Sequence, residues 1–363
     1  MKVNIKSVQV FRGISNQPSA PTTNLQIQSL QVFRGLAALA VVAHHAVLST
    51  EAFIGKVPDV LAHVLGMGYL GVDFFFVLSG FIIMYAHMGD EGALAAVPRY
   101  SFKRLVRVFP AYLPISIALI ALYALLPGFS ASADRGYSLL SSLLLIPADG
   151  PPALSVAWTL VHELMFYAVF MLYFIGKRWL VVGLFAWAAL IVTSQQVHSP
   201  MSWLRYPLSV LNMEFMLGVS SAWVVRSWTL RVRPGNRWQL LAFAGILVAC
   251  VGVVLIRNEA TPYARLVFAF GLALLIAGFA IREQSAALRW PSLLLMMGNA
   301  SYSIYLVHNP LLSVTQRLAV RSGMNWGWGL VFGIVCAIVV GYVYYLAVER
   351  LALRFFRTYL KAT

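Results

Sequence analysis

Arg34 and His45 are the residues of the first apolar segment whose types could do chemistry. They lie eleven positions apart in RGLAALAVVAHH, which is close to three helical turns, so they share a face with about 16 Å between them along the axis. His44 falls roughly 80° away from that face. A charged side chain is costly on a membrane helix and usually faces a protein interior or a watery cavity. The pair therefore predicts the wall of a site.

Carboxylates occur inside three later apolar segments. Asp73 opens the run GVDFFFVLSGF at a depth compatible with His45, so an Asp–His contact could orient the imidazole and stabilise its protonated form. The alternative is that Asp73 only caps the second helix. Glu163 lies four residues after Thr159 on one face of WTLVHELMFY and could hold a substrate hydroxyl or a histidine. Glu214 is a further buried acid without an obvious local partner.

Arg104 and Arg107 lie three residues apart in the basic stretch RYSFKRLVRVFP, so on a helix their side chains point the same way. Paired guanidinium groups favour a phosphate-bearing ligand, because their forks bind oxyanions in pairs. The alternative is ordinary anchoring by cytoplasmic arginines, and the spacing alone does not separate the two.

Ser301, Tyr305 and His308 are spaced four and three residues apart in GNASYSIYLVHNP. On a helix, this spacing presents two hydroxyls and an imidazole on a single face. The alternative to a functional site is hydrogen bonding between helices, which is common for Ser and Tyr in membranes.

The composition predicts an all-α polytopic membrane protein. Hydrophobic residues make up 60% of the 363, charged residues 11%, and the mean hydropathy is +0.79. Soluble domains carry about 25% charged residues. The two cysteines lie inside apolar runs, which argues against a disulfide framework, and the sequence offers no metal site.

Ten apolar segments are long enough to cross a bilayer. Most of the 27 lysines and arginines fall in alternate connecting segments, which predicts cytoplasmic N- and C-termini. This bias also explains the net charge of +15 without a nucleic-acid partner. The segments run roughly over 31–50, 66–87, 109–127, 157–175, 179–197, 206–225, 239–256, 263–281, 293–314 and 327–349.

Three regions follow from these patterns. Residues 1–29 are a flexible polar segment, and 30–350 form the transmembrane domain. Residues 351–363 form a basic amphipathic tail, which we expect to lie on the anionic inner leaflet of the bilayer.

The chain resembles the acyltransferase 3 family of bacterial membrane acyltransferases, in particular its exopolysaccharide-acetylating branch. The resemblance covers nearly the whole chain after residue 28. Each motif alone is common, whereas five in this order on ten apolar segments are specific. The motifs are Arg34 and His45 at the family's Arg-x10-His spacing, GVDFFFVLSGF, Arg104-x-x-Arg107, WTLVHELMFY and GNASYSIYLVH.

This resemblance implies transfer of an acyl group, expected to be acetyl, from cytoplasmic acyl-CoA to a sugar hydroxyl of an exopolysaccharide or polyprenyl-linked glycan. It places the enzyme in the bacterial inner membrane, with acyl-CoA as a substrate and no permanently bound cofactor. It implies that His45 is catalytic, and the intramembrane carboxylates expected to be catalytic with it are Asp73 and Glu163. The residues expected to serve CoA or its thioester are Arg34, Arg104 and Arg107. The side chains expected to position the thioester or the acceptor are Trp158, Ser301, Tyr302, Tyr305 and His308.

Two questions stay open at this level. His45 could act as a general base in a direct transfer, or it could carry the acyl group covalently. Intramembrane charges could also form the substrate path of a transporter or flippase of lipid-linked glycans. Binding of CoA would separate the enzyme from the transporter.

Overall fold

The computed structural model describes residues 27–89, 93–126, 136–195, 202–231, 237–259, 263–285 and 288–362. Within these residues the regular structure is helical throughout, which confirms the all-α fold. Most of the N-terminal segment predicted for residues 1–29 lies outside the described residues, and the first helix begins at Gln28.

The described helices are α1 (Gln28–Phe53), α2 (Asp59–Gly66), α3 (Gly71–His87), α4 (Val97–Leu125), α5 (Leu139–Leu144), α6 (Trp158–Phe170), α7 (Leu172–Ile175), α8 (Lys177–Ser194), α9 (Asn212–Arg231), α10 (Arg237–Arg257), α11 (Ala264–Ser285), α12 (Ser292–Arg321), α13 (Trp326–Tyr344) and α14 (Arg350–Ala362). A π-helical segment, Tyr345–Glu349, joins α13 to α14. Each of the ten predicted apolar segments overlaps one or more of these helices.

Eight stretches of the described chain are helical, long and apolar enough to cross a membrane. They contain α1, α3, α4, α6, α8, α10, α11 and α13. The long helices α9 and α12 are not among them, and both carry polar residues that face the protein interior. The multi-pass membrane architecture is therefore supported, while the count of ten spans and the side of each terminus stay predictions.

Glycines bring two pairs of helices into backbone contact. A Cβ added to Gly298 of α12 would lie 2.0 Å from the carbonyl oxygen of Gln31 in α1. At the contact between α3 and α9, a Cβ on Gly80 would meet the carbonyl oxygen of Phe215 at 2.0 Å, and one on Gly218 would meet that of Val77 at 1.9 Å. Small residues allow such close approach between membrane helices. The first contact brings the turn that carries Arg34 alongside α12.

The start of α1 is fixed by a carboxylate from α11. The backbone N–H and the hydroxyl of Ser29 donate to Glu283 Oε1 over 3.0 and 2.6 Å, and the indole N–H of Trp290 donates to the same oxygen over 3.2 Å. A carboxylate at a helix N-terminus satisfies free N–H groups and complements the helix dipole. These bonds hold the beginning of α1 in a defined register.

The predicted tail at 351–363 forms helix α14 up to Ala362. The ring of Phe356 packs edge-on against Phe102 of α4, with 6.0 Å between the centroids. The tail is therefore docked on the bundle at its beginning, and its position on a lipid surface stays a prediction.

Candidate functional site

Seven residues singled out in the sequence line a single cavity of about 160 Å³, which we call the arginine cavity. They come from α1, α4, α6 and α12, so four separate helices bring their polar faces to one space. The seven are Arg34, Arg104, Arg107, Glu163, Ser301, Tyr302 and Tyr305.

Arg107 is neutralised by a carboxylate far away in the sequence. Its Nη1 donates to Glu349 Oε1 over 2.7 Å, and its guanidinium lies 5.3 Å from the ring centroid of Tyr302. The second oxygen of Glu349 accepts a 2.6 Å bond from Ser303. Glu349, at the end of the π-helical segment, is only 2% exposed. Glu349 was not among the predicted site residues, although an acid at the end of the last apolar segment was a usable signal.

Arg104 has no such carboxylate among the described residues. Its guanidinium carbon lies 5.5 and 5.4 Å from the ring centroids of Tyr100 and Tyr167, and its Nη2 is 3.2 Å from His87 Nε2. Its buried Nε–H has no hydrogen-bond acceptor in the described part of the chain. Aromatic faces thus orient this cation and leave hydrogen-bonding capacity for an anion.

Arg34 adds a third guanidinium to the cavity wall. Its described hydrogen bond is from Nη1 to Gln31 Oε1, one turn earlier on α1, at 3.3 Å. In the described part of the chain, the carboxylates near these three guanidiniums are Glu163 and Glu349, so the described groups carry an excess of positive charge. This excess suits an anionic ligand with paired oxygens.

Glu163 holds hydroxyl groups of the protein. It accepts a 3.2 Å bond from Ser79 and a short bond from Tyr167, and none of these partners is a histidine. The preceding residue, His162, points to another part of the protein, where its Nδ1 lies 2.9 Å from Asn212 Oδ1. Of the two roles expected for Glu163, binding a hydroxyl fits this geometry better than binding a histidine.

The hydroxyls on α12 are already hydrogen-bonded within the protein. Ser301 donates to the carbonyl of Gly298 over 2.8 Å, and Tyr302 donates across to Val108 of α4 over 2.9 Å. The hydroxyl of Tyr305 lies 3.1 Å from the carbonyl of Val156. The alternative of hydrogen bonding between helices therefore describes part of what these side chains do.

His45 pairs with a second histidine. Its Nδ1 lies 3.0 Å from the carbonyl oxygen of Val41 and 3.3 Å from Nε2 of His308, whose own Nδ1 lies 2.6 Å from the carbonyl of Tyr305. A carbonyl can only accept, so both Nδ1 atoms carry hydrogen in the neutral rings. Nε2 of His45 then keeps its lone pair, which is the state that a general base needs.

A second cavity, of about 510 Å³, has His45 in its lining. Its lining includes His45, Tyr137, Trp158, His162, Arg205 and Tyr206. The two cavities meet at Tyr305, whose hydroxyl touches Thr159 on the arginine-cavity side and Val156 on the second-cavity side. His45 thus lines the second cavity and is linked to Tyr305 of the arginine cavity through His308.

A sequence profile described as an acyltransferase domain matches residues 27–346. The chain belongs to the acyltransferase 3 family. The match covers α1 to α13, and so contains both cavities and every predicted site residue.

Two curated proteins are similar to this acyltransferase over most of their length. The "Exopolysaccharide production protein ExoZ" of Rhizobium meliloti (strain 1021) is 30% identical over 307 residues, which is 80% of this chain and 92% of the relative. The "Acyltransferase MdmB" of Streptomyces mycarofaciens is 25% identical over 333 residues, which is 82% of each chain. No solved structure matches.

These comparisons confirm the predicted family and the prediction of an acyltransferase enzyme. In the acyltransferase, Trp158 lines the second cavity with His45, whereas Ser301, Tyr302 and Tyr305 line the arginine cavity. The side chains that were expected to position the thioester or the acceptor together are thus divided between the second cavity and the arginine cavity.

The predicted contact between Asp73 and His45 is wrong. Both oxygens of Asp73 accept bonds from Arg265 of α11, over 2.8 Å from Nε and 2.7 Å from Nη2, while Asp73 is fully buried. A permanent cation with a two-pronged donor stabilises a buried carboxylate better than an imidazole does. Val41 and His308 instead orient His45. Because an acid inside a membrane protein usually pairs with a base, the sequence did indicate that Asp73 has a basic partner, and Arg265 was a candidate for it.

We expect Arg265→Met to destabilise the acyltransferase strongly. The change leaves Asp73 buried without a cation, close to the carboxyl group of Glu214. Breaking a buried ion pair costs about 3–5 kcal/mol. The midpoint of thermal unfolding of the detergent-purified protein should therefore fall clearly.

The double variant Arg265→Met/Asp73→Asn is the control, because it removes the stranded charge together with its partner. Its unfolding midpoint should recover most of the loss, and its acyl transfer should persist. Additive losses of stability would show that the two side chains do not act as a pair. Loss of activity in a double variant that folds normally would return Asp73 to a catalytic role.

Proposed function

We propose that this acyltransferase transfers an acyl group, acetyl in the first instance, from cytoplasmic acyl-CoA to a hydroxyl of an exopolysaccharide or its lipid-linked precursor in the bacterial inner membrane. The observation that carries the proposal is that His45 lines an aromatic cavity whose wall contacts, at Tyr305, the wall of a separate cavity with three guanidiniums. The relative described as an exopolysaccharide production protein supports a polysaccharide acceptor.

The arginine cavity supplies what an acyl-CoA donor requires. The guanidiniums of Arg34, Arg104 and Arg107 offer paired N–H donors to phosphate oxygens. Arg34 and His45 are about 16 Å apart along α1. The long, thin pantetheine arm of CoA can span that distance, which would bring the thioester near Tyr305 and His45.

The transfer step then needs one base and one acid. Nε2 of His45 takes the proton of the acceptor hydroxyl while the hydroxyl oxygen attacks the thioester carbonyl carbon. A C–O bond forms, the C–S bond breaks, and the protonated imidazole returns its proton to the CoA sulfur. Through its bond to Nδ1 of His45, His308 helps to share the imidazolium charge. In the alternative, Nε2 of His45 attacks the thioester carbonyl carbon and CoA leaves as the thiolate; the acceptor hydroxyl then displaces the imidazole from the acyl carbon, and its proton ends on the CoA thiolate.

The oxygen of the tetrahedral intermediate needs a hydrogen-bond donor. Ser301 and Tyr302 donate their hydroxyl hydrogens to backbone carbonyls. The indole N–H of Trp158 has no acceptor among the described residues, and Trp158 lines the second cavity with His45. We therefore assign the oxyanion contact to Trp158 as part of the proposal.

The experiment uses the full-length protein in lipid nanodiscs with acetyl-CoA. We expect the protein to release the free thiol of CoA, and a membrane extract that contains the acceptor glycan should accelerate this release. In cells, mass spectrometry should detect acetyl groups on the exopolysaccharide only when the protein is present. A parallel reaction with octanoyl-CoA separates acetyl from longer donors. Failure to bind either thioester would overturn the acyl-CoA donor, whatever the acceptor is.

A further inference from the structure

The second cavity has a permanent charge in its lining. Among the described side chains that line it, Arg205 alone is always ionised; the others are aromatic, small, apolar, hydroxyl or imidazole groups. We propose that this cavity binds an acidic sugar as the acyl acceptor, with the sugar's carboxylate held by Arg205. The proposal rests on the function proposed above and specifies the chemical class of the acceptor.

Arg205 is oriented and available for an anion. Its guanidinium lies 5.1 Å from the ring centroid of Tyr206, and it is exposed to the cavity. No carboxylate of the described chain pairs with it, in contrast to Arg107 and Arg265. A stacked guanidinium loses little freedom when it binds, because its plane is already set.

The support for Arg205 is fixed by hydrogen bonds from neighbouring helices. The side-chain N–H groups of Asn212 donate to the carbonyls of Tyr206 and Pro207 over 2.6 and 3.3 Å. Trp187 of α8 donates to the same Pro207 carbonyl over 2.7 Å. Tyr206 itself is only 3% exposed. The arginine therefore stands on a rigid support, as a specificity contact requires.

The rest of the cavity suits a sugar ring. Trp158 and Tyr137 provide aromatic faces for the C–H face of the ring, and Ser155 and Ser209 add hydroxyls. The volume of about 510 Å³ lies within the range of about 300–1,000 Å³ typical of small-ligand sites. His45 belongs to the same lining, so a ring held by Arg205 presents its hydroxyls toward the base.

The test measures equilibrium binding of three matched probes to the full-length protein in nanodiscs without acyl-CoA. The probes are phenyl β-glucuronide, phenyl β-glucoside and phenyl phosphate. We expect the glucuronide to bind about tenfold more tightly than the glucoside, because one additional charge-assisted hydrogen bond strengthens binding by about that factor. Arg205→Gln should remove this preference, and Arg205→Lys should keep part of it.

Arg257→Gln is the matched control, because Arg257 is also exposed and lines neither cavity. It should keep the tenfold preference. Equal binding of both glycosides by the unaltered protein, or an equal loss of both in Arg205→Gln, would overturn the proposal. Binding of phenyl phosphate as tightly as the glucuronide would also overturn it, in favour of a lipid phosphate. Because no donor is present, the result is independent of whether acyl-CoA is the donor.

Discussion

His45→Ala should reduce acyl transfer by about 10³-fold, since a positioned general base contributes about 10²–10⁴-fold. The hydrogen bond from Nδ1 of His45 to Val41 leaves a lone pair on Nε2, and His45 lines the second cavity. The measurement is the rate of CoA release from acetyl-CoA with and without acceptor. Binding of acetyl-CoA should change little, because His45 does not line the arginine cavity.

His44→Ala is the matched control for this prediction. His44 is next to His45 in the chain, but its Nδ1 lies 2.6 Å from the carbonyl of Gly66, at the start of the connection to α3. Its loss should cost about 1 kcal/mol of stability through that hydrogen bond and largely spare acyl transfer. Continued transfer by His45→Ala, or an equal loss in both variants, would contradict the assigned base.

Rapid quenching of the unaltered enzyme in acetyl-CoA without acceptor separates the two mechanisms left open by the sequence. An acyl group on His45 would be seen as an acid-labile mass increase on the peptide that contains it, and would indicate the two-step route. A direct transfer gives no such species before acceptor is added.

Replacing both Arg104 and Arg107 by alanine should weaken acyl-CoA binding by about 100-fold, while acceptor binding changes by less than threefold. Each charge-assisted hydrogen bond contributes about 1.5–3 kcal/mol, and about 3 kcal/mol corresponds to two factors of ten. The measurements are the dissociation constant for acetyl-CoA and that for the acceptor glycoside. An equal loss for both ligands would make these arginines structural anchors.

Arg107 needs its own control, because its removal leaves Glu349 buried without a cation. Adding Glu349→Gln removes that charge, so the triple variant separates ligand binding from folding. The charge-matched comparison is Arg178→Ala/Arg237→Ala, which deletes two exposed arginines that line neither cavity. This comparison variant should bind acetyl-CoA as tightly as the unaltered protein.

The sequence alone determined which residues could share a helix face. The spacing of Arg34 and His45, of Arg104 and Arg107, and of Ser301, Tyr305 and His308 follows from the fixed rise and rotation per residue of an α-helix. Such periodicity is local, so it was predictable, and residues from all three sets line the arginine cavity. The all-α fold was also predictable from local sequence, because long apolar segments in a bilayer must form their backbone hydrogen bonds internally.

Only the tertiary structure decided which faces meet. Asp73 pairs with Arg265, 192 positions away, and Arg107 pairs with Glu349, 242 positions away. The partner of a side chain depends on the rotation and depth of two helices, which glycine contacts such as that between Gly298 and Gln31 fix. Helical periodicity carries no information about those two quantities. For this reason the sequence could predict His45 as a candidate site residue, but it could not predict which groups orient its imidazole. These are a second histidine and a backbone carbonyl, and not a carboxylate.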